Sequence, residues 1–241
     1  MDYFGESVAA RYDEVSGDMF DTGVVGRAVD VLADLAGAGR ALELGIGTGR
    51  IALPLVDRGV PVHGIDMSDA MVARMRAKPG GDRPGVTIGD FATTRVDGEF
   101  SLVYLVYNTI MNLTSQDAQV DCFRTAAAHL APGGTFVVEV GVPELRSVPP
   151  GRNSLPFHVS DTKVAFDVYD FATQHMTSNY VEVVNGEGSY RTIPFRYVWP
   201  SELDLMARLA GLDLSDRWSD WDRSPFTADS TKHVSVWRKP A

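Results

Sequence analysis

The chain has 241 residues, 44% of them hydrophobic, enough to bury one substantial core with a small appendage. Its formal net charge is −10, from 22 basic against 32 acidic residues, a field that repels phosphate backbones and argues against a nucleic-acid substrate. Cys122 is the single cysteine, which excludes an internal disulfide, and no Cys/His cluster has metal-ligand spacing, so no metal is expected.

Helical and strand patterns alternate through the first 140 residues. Asp21 or Thr22 is placed to cap a helix with Val25, Val29, Leu32 and Ala36 on one face. Residues 40–44 read as a strand, 50–56 as a helix ending at Gly59, and 60–65 as a second strand. Ser68 opens a helix through Arg76, and 86–88 is a short strand. Residues 100–106 form a continuous apolar run, the signature of a central strand covered on both faces. Thr114-Ser115-Gln116-Asp117 has capping-box character and leads a helix with Val120, Phe123, Ala127 and Leu130 inward, stopped by Pro132-Gly133-Gly134. Residues 135–140 are another buried strand. This alternation predicts an α/β fold: a doubly wound, Rossmann-like sheet of mostly parallel strands with right-handed crossovers.

The rhythm changes after Gly141. Pro143, Pro149, Pro150, Gly151 and Pro156 predict an irregular loop. Three strand-like runs follow, at 163–171, 176–184 and 189–199, with a hairpin signal at Asn185-Gly186. Ile193, Phe195, Tyr197 and Trp199 share one face of the third run, and Tyr190, Thr192 and Arg196 the other. This reads as an antiparallel β insertion after the fifth strand. Ser201 then caps a helix with Leu203, Met206, Leu209 and Ala210 inward, and 212–218 and 233–237 supply the last two strands, the final one antiparallel. The expected organisation is an α/β core at 1–141, an insertion at 142–199 and a closing segment at 200–241.

Ala41-Leu42-Glu43-Leu44-Gly45-Ile46-Gly47-Thr48-Gly49-Arg50 carries the chemistry. A strand runs into glycines at alternate positions, where the absence of Cβ permits a tight turn and close approach to a ligand. A dinucleotide loop would want G-x-G-x-x-G, but Arg50 stands at its third glycine. The spacing resembles the first motif of class I S-adenosylmethionine (SAM)-dependent methyltransferases. Asp66 at the end of the second strand and Gly89-Asp90-Phe91 occur in the family's order, as does Leu130-Ala131-Pro132-Gly133-Gly134. Ala9-Ala10-Arg11-Tyr12-Asp13 resembles the opening helix of small-molecule members, including N-methyltransferases of deoxyamino sugars.

The resemblance implies SAM as cofactor and S-adenosylhomocysteine as product. It implies a cofactor site of Tyr12, Glu43, Gly45, Gly47, Gly49, Asp66, Met67, Asp90, Phe91 and Asn108. Asp66 would hold the ribose hydroxyls, since a carboxylate accepts two donors at once. Asp90 and Phe91 would meet adenine, and Tyr12 would close over the methionine end, with cation–π attraction to the sulfonium.

Glu139, His158 and Asn112 are candidate catalytic groups, with Asn112 standing where some amino-sugar enzymes carry a histidine. Tyr107, Met111, Arg196 and Trp199 are candidates for the acceptor, and Trp221 and Phe226 add aromatic bulk that suits a pocket wall. Each has a plainer reading: a tight turn, a solvated loop acid, a surface histidine, an exposed strand arginine, a packing tryptophan.

The expected activity is methyl transfer to an O or N atom of a small molecule, mainly by alignment. A nicotinamide-dependent oxidoreductase and a SAM-binding protein without turnover are the alternatives. No apolar run approaches the ~20 residues of a membrane span, and residues 1–6 lack a secretory layout. With the lone cysteine, these predict a cytoplasmic protein with a small-molecule partner. The insertion offers a surface for a homodimer.

Overall fold

The computed structural model describes residues 5–9, 12–15 and 21–241. Two short helical turns, α1 (Glu6–Ala9) and α2 (Tyr12–Val15), precede α3 (Thr22–Ala36). The carboxylate of Asp21 caps α3 by accepting from the amides of Gly23 and Val24, each at 3.0 Å. Then follow β1 (Ala41–Leu44), α4 (Ala52–Asp57), β2 (Val62–Asp66), α5 (Asp69–Arg76), β3 (Gly85–Ile88) and β4 (Phe100–Leu105). After β4 come a 3-10 turn (Thr109–Asn112), α6 (Gln116–His129) and β5 (Leu130–Gly141). Ser68 caps α5 as the sequence predicts, whereas α6 is capped by Ser115, one residue beyond the Thr114 that opens the expected capping box.

The main sheet has seven strands in the order β10-β11-β5-β4-β1-β2-β3. β1 to β5 run parallel, and β11 (Lys232–Arg238) is antiparallel to both β5 and β10 (Asp213–Trp218). Helices cover both faces. On one, α6 and α7 (Pro200–Leu209) enclose Phe123, Phe136 and Trp237, whose rings meet edge to face at 5.0 and 5.2 Å around Phe123. On the other, α3 and α4 bury Leu32, Ile51, Leu55 and Tyr104. The strand ends that matter for ligands thus share one edge, at the point where the order reverses between β1 and β4.

The insertion is a second, four-stranded antiparallel sheet, β6-β7-β8-β9. Its strands are β6 (Ser154–Val159), β7 (Lys163–Tyr169), β8 (His175–Val184) and β9 (Glu187–Arg196). Asn185 (φ 53°) and Gly186 (φ 83°) make the two-residue turn joining β8 to β9, a conformation that matches strand twist.

Four local expectations are corrected. The proline-rich segment contains β6, because Pro156 sits on an edge strand beside a bulge, where a missing amide costs nothing. Leu130 begins β5 rather than ending α6. Helix α7 is started by Pro200 after Trp199, without a side-chain cap, so Ser201 is not its cap. Leu209 faces solvent, 64% exposed, and Leu203, Met206 and Ala207 make the buried stripe.

Candidate active site

The glycine turn is built for backbone rather than side chains. Gly45 has φ 80°, and a Cβ there would lie 2.8 Å from Thr109 Cγ2; at Gly49 (φ 77°) it would lie 2.6 Å from Met75 Cγ. The turn is tied to β2 by the amides of Gly45 and Ile46, both donating to the Ile65 carbonyl. Asp66 completes the tie: Oδ2 accepts from the Gly47 amide at 2.7 Å and Oδ1 from the Ser68 amide at 2.8 Å. Burial pushes its carboxyl above the usual carboxylate range, against the opposing pull of these amides. A carboxylate has about four lone-pair sites, so with the amides of Gly47, Ser68 and Met67 on it acceptor capacity remains for a hydroxyl.

Three large apolar side chains among the described residues are partly exposed along this edge: Met67 after β2, 68% exposed, Ile88 ending β3 and Tyr107 after β4, the last with the Arg50 guanidinium over its ring. Large exposed apolar groups at one strand edge suit a flat aromatic ring. Asp90 makes a turn with its own chain, Oδ1 accepting from the Ala92 amide at 2.8 Å. The Phe91 ring is buried under Gly45, so only its backbone is offered to the edge. Glycines that admit no side chain, a carboxylate with acceptor capacity in reserve and apolar residues beside it fit an adenosyl group.

Tyr12 stands half-buried in this neighbourhood, within electrostatic reach of Arg50, Tyr107 and Asp66, and burial pushes its phenol up. What holds its helical turn is Asp13. The Asp13 carboxylate accepts from Thr48 Oγ1 at 2.7 Å and pairs with Lys78, which also donates to the Thr48 carbonyl. This pin between α2 and the glycine turn was not singled out from the sequence; the only signal was Asp13 beside Tyr12.

A strained turn follows β4. Tyr107 (φ 54°) and Asn108 (φ 62°) are consecutive non-glycine residues in the left-handed region, each costing about 1–3 kcal/mol unless the surroundings impose it. Glu139 imposes it twice: Oε2 accepts from the Tyr107 amide at 3.1 Å, and its carbonyl accepts from the Asn108 amide at 3.1 Å. Asn108 Oδ1 in turn accepts from the Gly141 amide at 2.6 Å. The indole of Trp221 donates to Glu139 Oε1 at 3.0 Å, and Lys232 lies 3.9 Å from that oxygen. A cavity of about 190 Å³ opens here, walled by Val24, Ala28 and Trp221 on one side and Arg50, Tyr107, Glu139 and Lys232 on the other.

Beneath the turn, Glu43 is fully enclosed and accepts from the Tyr104 hydroxyl at 2.9 Å. Burial pushes its carboxyl up to about 8, outweighing that hydrogen bond and the attraction of Arg50. A raised folded value means that the native state holds a proton the unfolded chain releases. The stability from Glu43 is therefore complete below the ordinary carboxylate range and drains away as pH rises towards about 8. Glu43→Gln, which keeps a neutral acceptor for Tyr104, is expected to gain on the wild type between about pH 5 and about pH 9 in denaturant melts. Parallel stability curves over that interval would sink the assignment.

Other expected site residues fall elsewhere. His158 lies exposed on β6, the edge strand, and takes no part in the cavity wall, so it is corrected as a candidate base. Arg196 is corrected too. Its side chain is buried against Glu202, Gln119 and Gln174 at 2.7, 2.6 and 3.3 Å, and the surface position expected for a strand arginine belongs to Arg191. Trp199 stands at the start of α7 with its carbonyl accepting from Glu202 and Leu203, on the α6 side of the sheet. Asn112 ends the 3-10 turn, half-buried and outside the cavity wall. Met111, in the same turn, packs against both the main core and the insertion.

Comparison with known proteins agrees with this geometry. A family model described as a methyltransferase domain matches residues 41–134. The cypemycin N-terminal methyltransferase of a Streptomyces species is 28% identical over 207 residues, 81% of each chain. The structure of an amino pentose methyltransferase from Micromonospora echinaspora, solved with SAM bound, superposes with a TM-score of 0.68 at 18% identity, over 94% of each chain. The CcbJ methyltransferase of Streptomyces caelestis is 38% identical, with a TM-score of 0.86 over 99% of this chain and 98% of that one. With the glycine turn, the strand order and a full-length relative in accord, the chain belongs to the class I SAM-dependent methyltransferases of small-molecule type.

Proposed function

We propose that this enzyme methylates a nitrogen atom, an amine, on a small molecule of specialised biosynthesis, with the acceptor seated in the cavity beside Tyr107. The observation that carries this reading is the use the fold makes of Glu139. Oε2 and Oε1 each accept an N–H, from Tyr107 and from Trp221, so the one carboxylate that the described residues place on the cavity wall is oriented by the turn and the indole rather than by an acceptor. A hydroxyl acceptor needs a base to take its proton, whereas an amine needs only to be neutral and aligned. Apolar walls from Val24, Ala28 and Trp221 favour the neutral amine over its ammonium form.

Relatives point the same way by name, since one is an N-terminal methyltransferase and another an amino pentose methyltransferase. Bound SAM supplies an electrophilic methyl group on a sulfonium. The chain's own residues align and exclude water: Gly45, Gly47 and Gly49 admit the cofactor, Asp66 receives its ribose, and Tyr12 covers the sulfur end. Glu139 acts as a positioning residue through the Tyr107 turn.

The test is formation of S-adenosylhomocysteine with matched panels of small amines and alcohols. Amines are expected to turn over and alcohols not; the reverse preference would overturn the nitrogen reading. Glu139→Gln keeps an acceptor for the Tyr107 amide and is expected to hold kcat within a few-fold of wild type. Glu139→Ala releases the turn and should lower kcat by about a hundredfold, the usual penalty of ångström-scale misplacement. Equal losses in both variants would instead make Glu139 a base.

A further inference from the structure

Lys232 brings to the cavity wall a charge that the fold leaves unused. It opens β11 opposite Gly141, at the carboxyl edge of β5, and strand alternation puts it on the face of Val234, whose register partner is Glu139. Its half-exposed ammonium lies 3.9 Å from Glu139 Oε1, beyond hydrogen-bond reach, and that oxygen already accepts the Trp221 indole at 3.0 Å. Among the described residues the ammonium donates no hydrogen bond. The acids of α3 and the one beside Trp221 are paired with arginines instead, Asp30 with Arg58, Asp34 with Arg223 and Asp222 with Arg27 at 3.3 Å.

The wall is therefore locally positive although the chain carries a net charge of −10: Arg50, over the Tyr107 ring at 5.4 Å, and Lys232 stand against one carboxylate, Glu139. Val24, Ala28 and Trp221 close the other side with apolar surface, which limits screening by water and strengthens any attraction across the space. An ammonium with three N–H donors and no acceptor gains most from an anion on the ligand. The surplus is a single positive charge, which a carboxylate balances and a phosphate near the dianion exceeds. Positive charge beside the acceptor also favours the neutral amine that transfer requires.

We propose that Lys232 is a recognition residue for the acceptor, and that the amines this enzyme methylates carry a carboxylate, as amino acids do, which the lysine receives inside the cavity. This rests on the amine reading above but concerns binding of the anion rather than transfer. Lys232 fixes one end of the acceptor, the apolar wall covers its carbon skeleton, and Glu139 stays with the Tyr107 turn.

Probes without an amine separate the two claims. Calorimetric titration of the enzyme loaded with S-adenosylhomocysteine, so that the cofactor site is filled, compares cyclopentanecarboxylate with its neutral counterpart cyclopentanecarboxamide. Wild type is expected to prefer the carboxylate by about tenfold, since a charge meets the ammonium where the amide brings only a dipole. Because its pair with Glu139 is long and open to solvent at the lysine, Lys232→Met is expected to lose that preference while keeping its melting temperature and its affinity for S-adenosylhomocysteine. Lys232→Arg is expected to retain the preference, and Lys232→Gln supplies a second neutral variant should the methionine fail to fold. An unchanged preference in either neutral variant, or no preference in wild type at millimolar concentration, overturns the proposal. So does a matching loss of affinity for S-adenosylhomocysteine, which would assign the lysine to the cofactor's own carboxylate. Failure of amine turnover with the carboxylate preference intact would instead fall on the nitrogen reading.

Discussion

Asp66→Ala is expected to weaken SAM binding by about a hundredfold or more. Hydrogen bonds to an ionised group are worth about 1.5–3 kcal/mol each, and the proposed ribose contact draws on that acceptor. The same carboxylate also ties the Gly47 amide to the Ser68 amide, so alanine frees the glycine turn from β2 as well as removing the acceptor. Asp66→Asn is expected to fall between, because its amide group offers a donor where one backbone N–H already points. Calorimetry with SAM and S-adenosylhomocysteine measures both; affinity within threefold of wild type for the alanine variant would reject the ribose assignment.

Arg196→Ala is expected to cost about 3–5 kcal/mol of stability, because it strands a buried carboxylate. Arg196 and Glu202 side chains are 5% and 14% exposed, with nitrogen and oxygen at 2.7 Å. Gln119 locks the guanidinium from α6 and donates back to the Arg196 carbonyl at 3.1 Å, while Gln174 and Gln116 both donate to Glu202. The network joins the insertion to α6 and α7. Burial raises the Glu202 carboxyl, but hydrogen bonds from Arg196, Gln174 and Gln116 outweigh it and leave the group below the ordinary carboxylate range. A depressed folded value gives stability above the unfolded value that is lost as pH falls, so the variant should also show a weaker acid dependence. Denaturant melts of Arg196→Ala that shift by less than about 1 kcal/mol would show that the network carries little.

The two effects differ in how plainly their residues could be read. The position of Asp66 was legible because it is set by local order: a strand, a glycine turn nineteen residues earlier to which its carboxylate is tied, and an acid at the strand's carboxyl end. Arg196 was misread because strand alternation states which face a side chain takes, not what covers that face. Its cover comes from α6 and α7, separated in sequence by the whole insertion. His158 failed for a related reason, since loop proximity along the chain placed it near the acceptor while β6 pairs at the far edge of its sheet. Glu139 was named as a candidate catalytic group, yet its partners, Trp221 and the Tyr107 amide, were invisible until the strands were assembled.

Period, punctuation and motif spacing determined the α/β class, the main strands, the antiparallel insertion and the cofactor's chemistry, because each follows from contacts within a few residues or one strand–turn–helix unit. Tertiary structure alone decided which side chains hold one another across the sheet. The pin of Asp13 on Thr48 and the strained Tyr107–Asn108 turn held by Glu139 depend on segments distant in sequence meeting, and that meeting is set by how strands and helices assemble around the main sheet rather than by any local pattern.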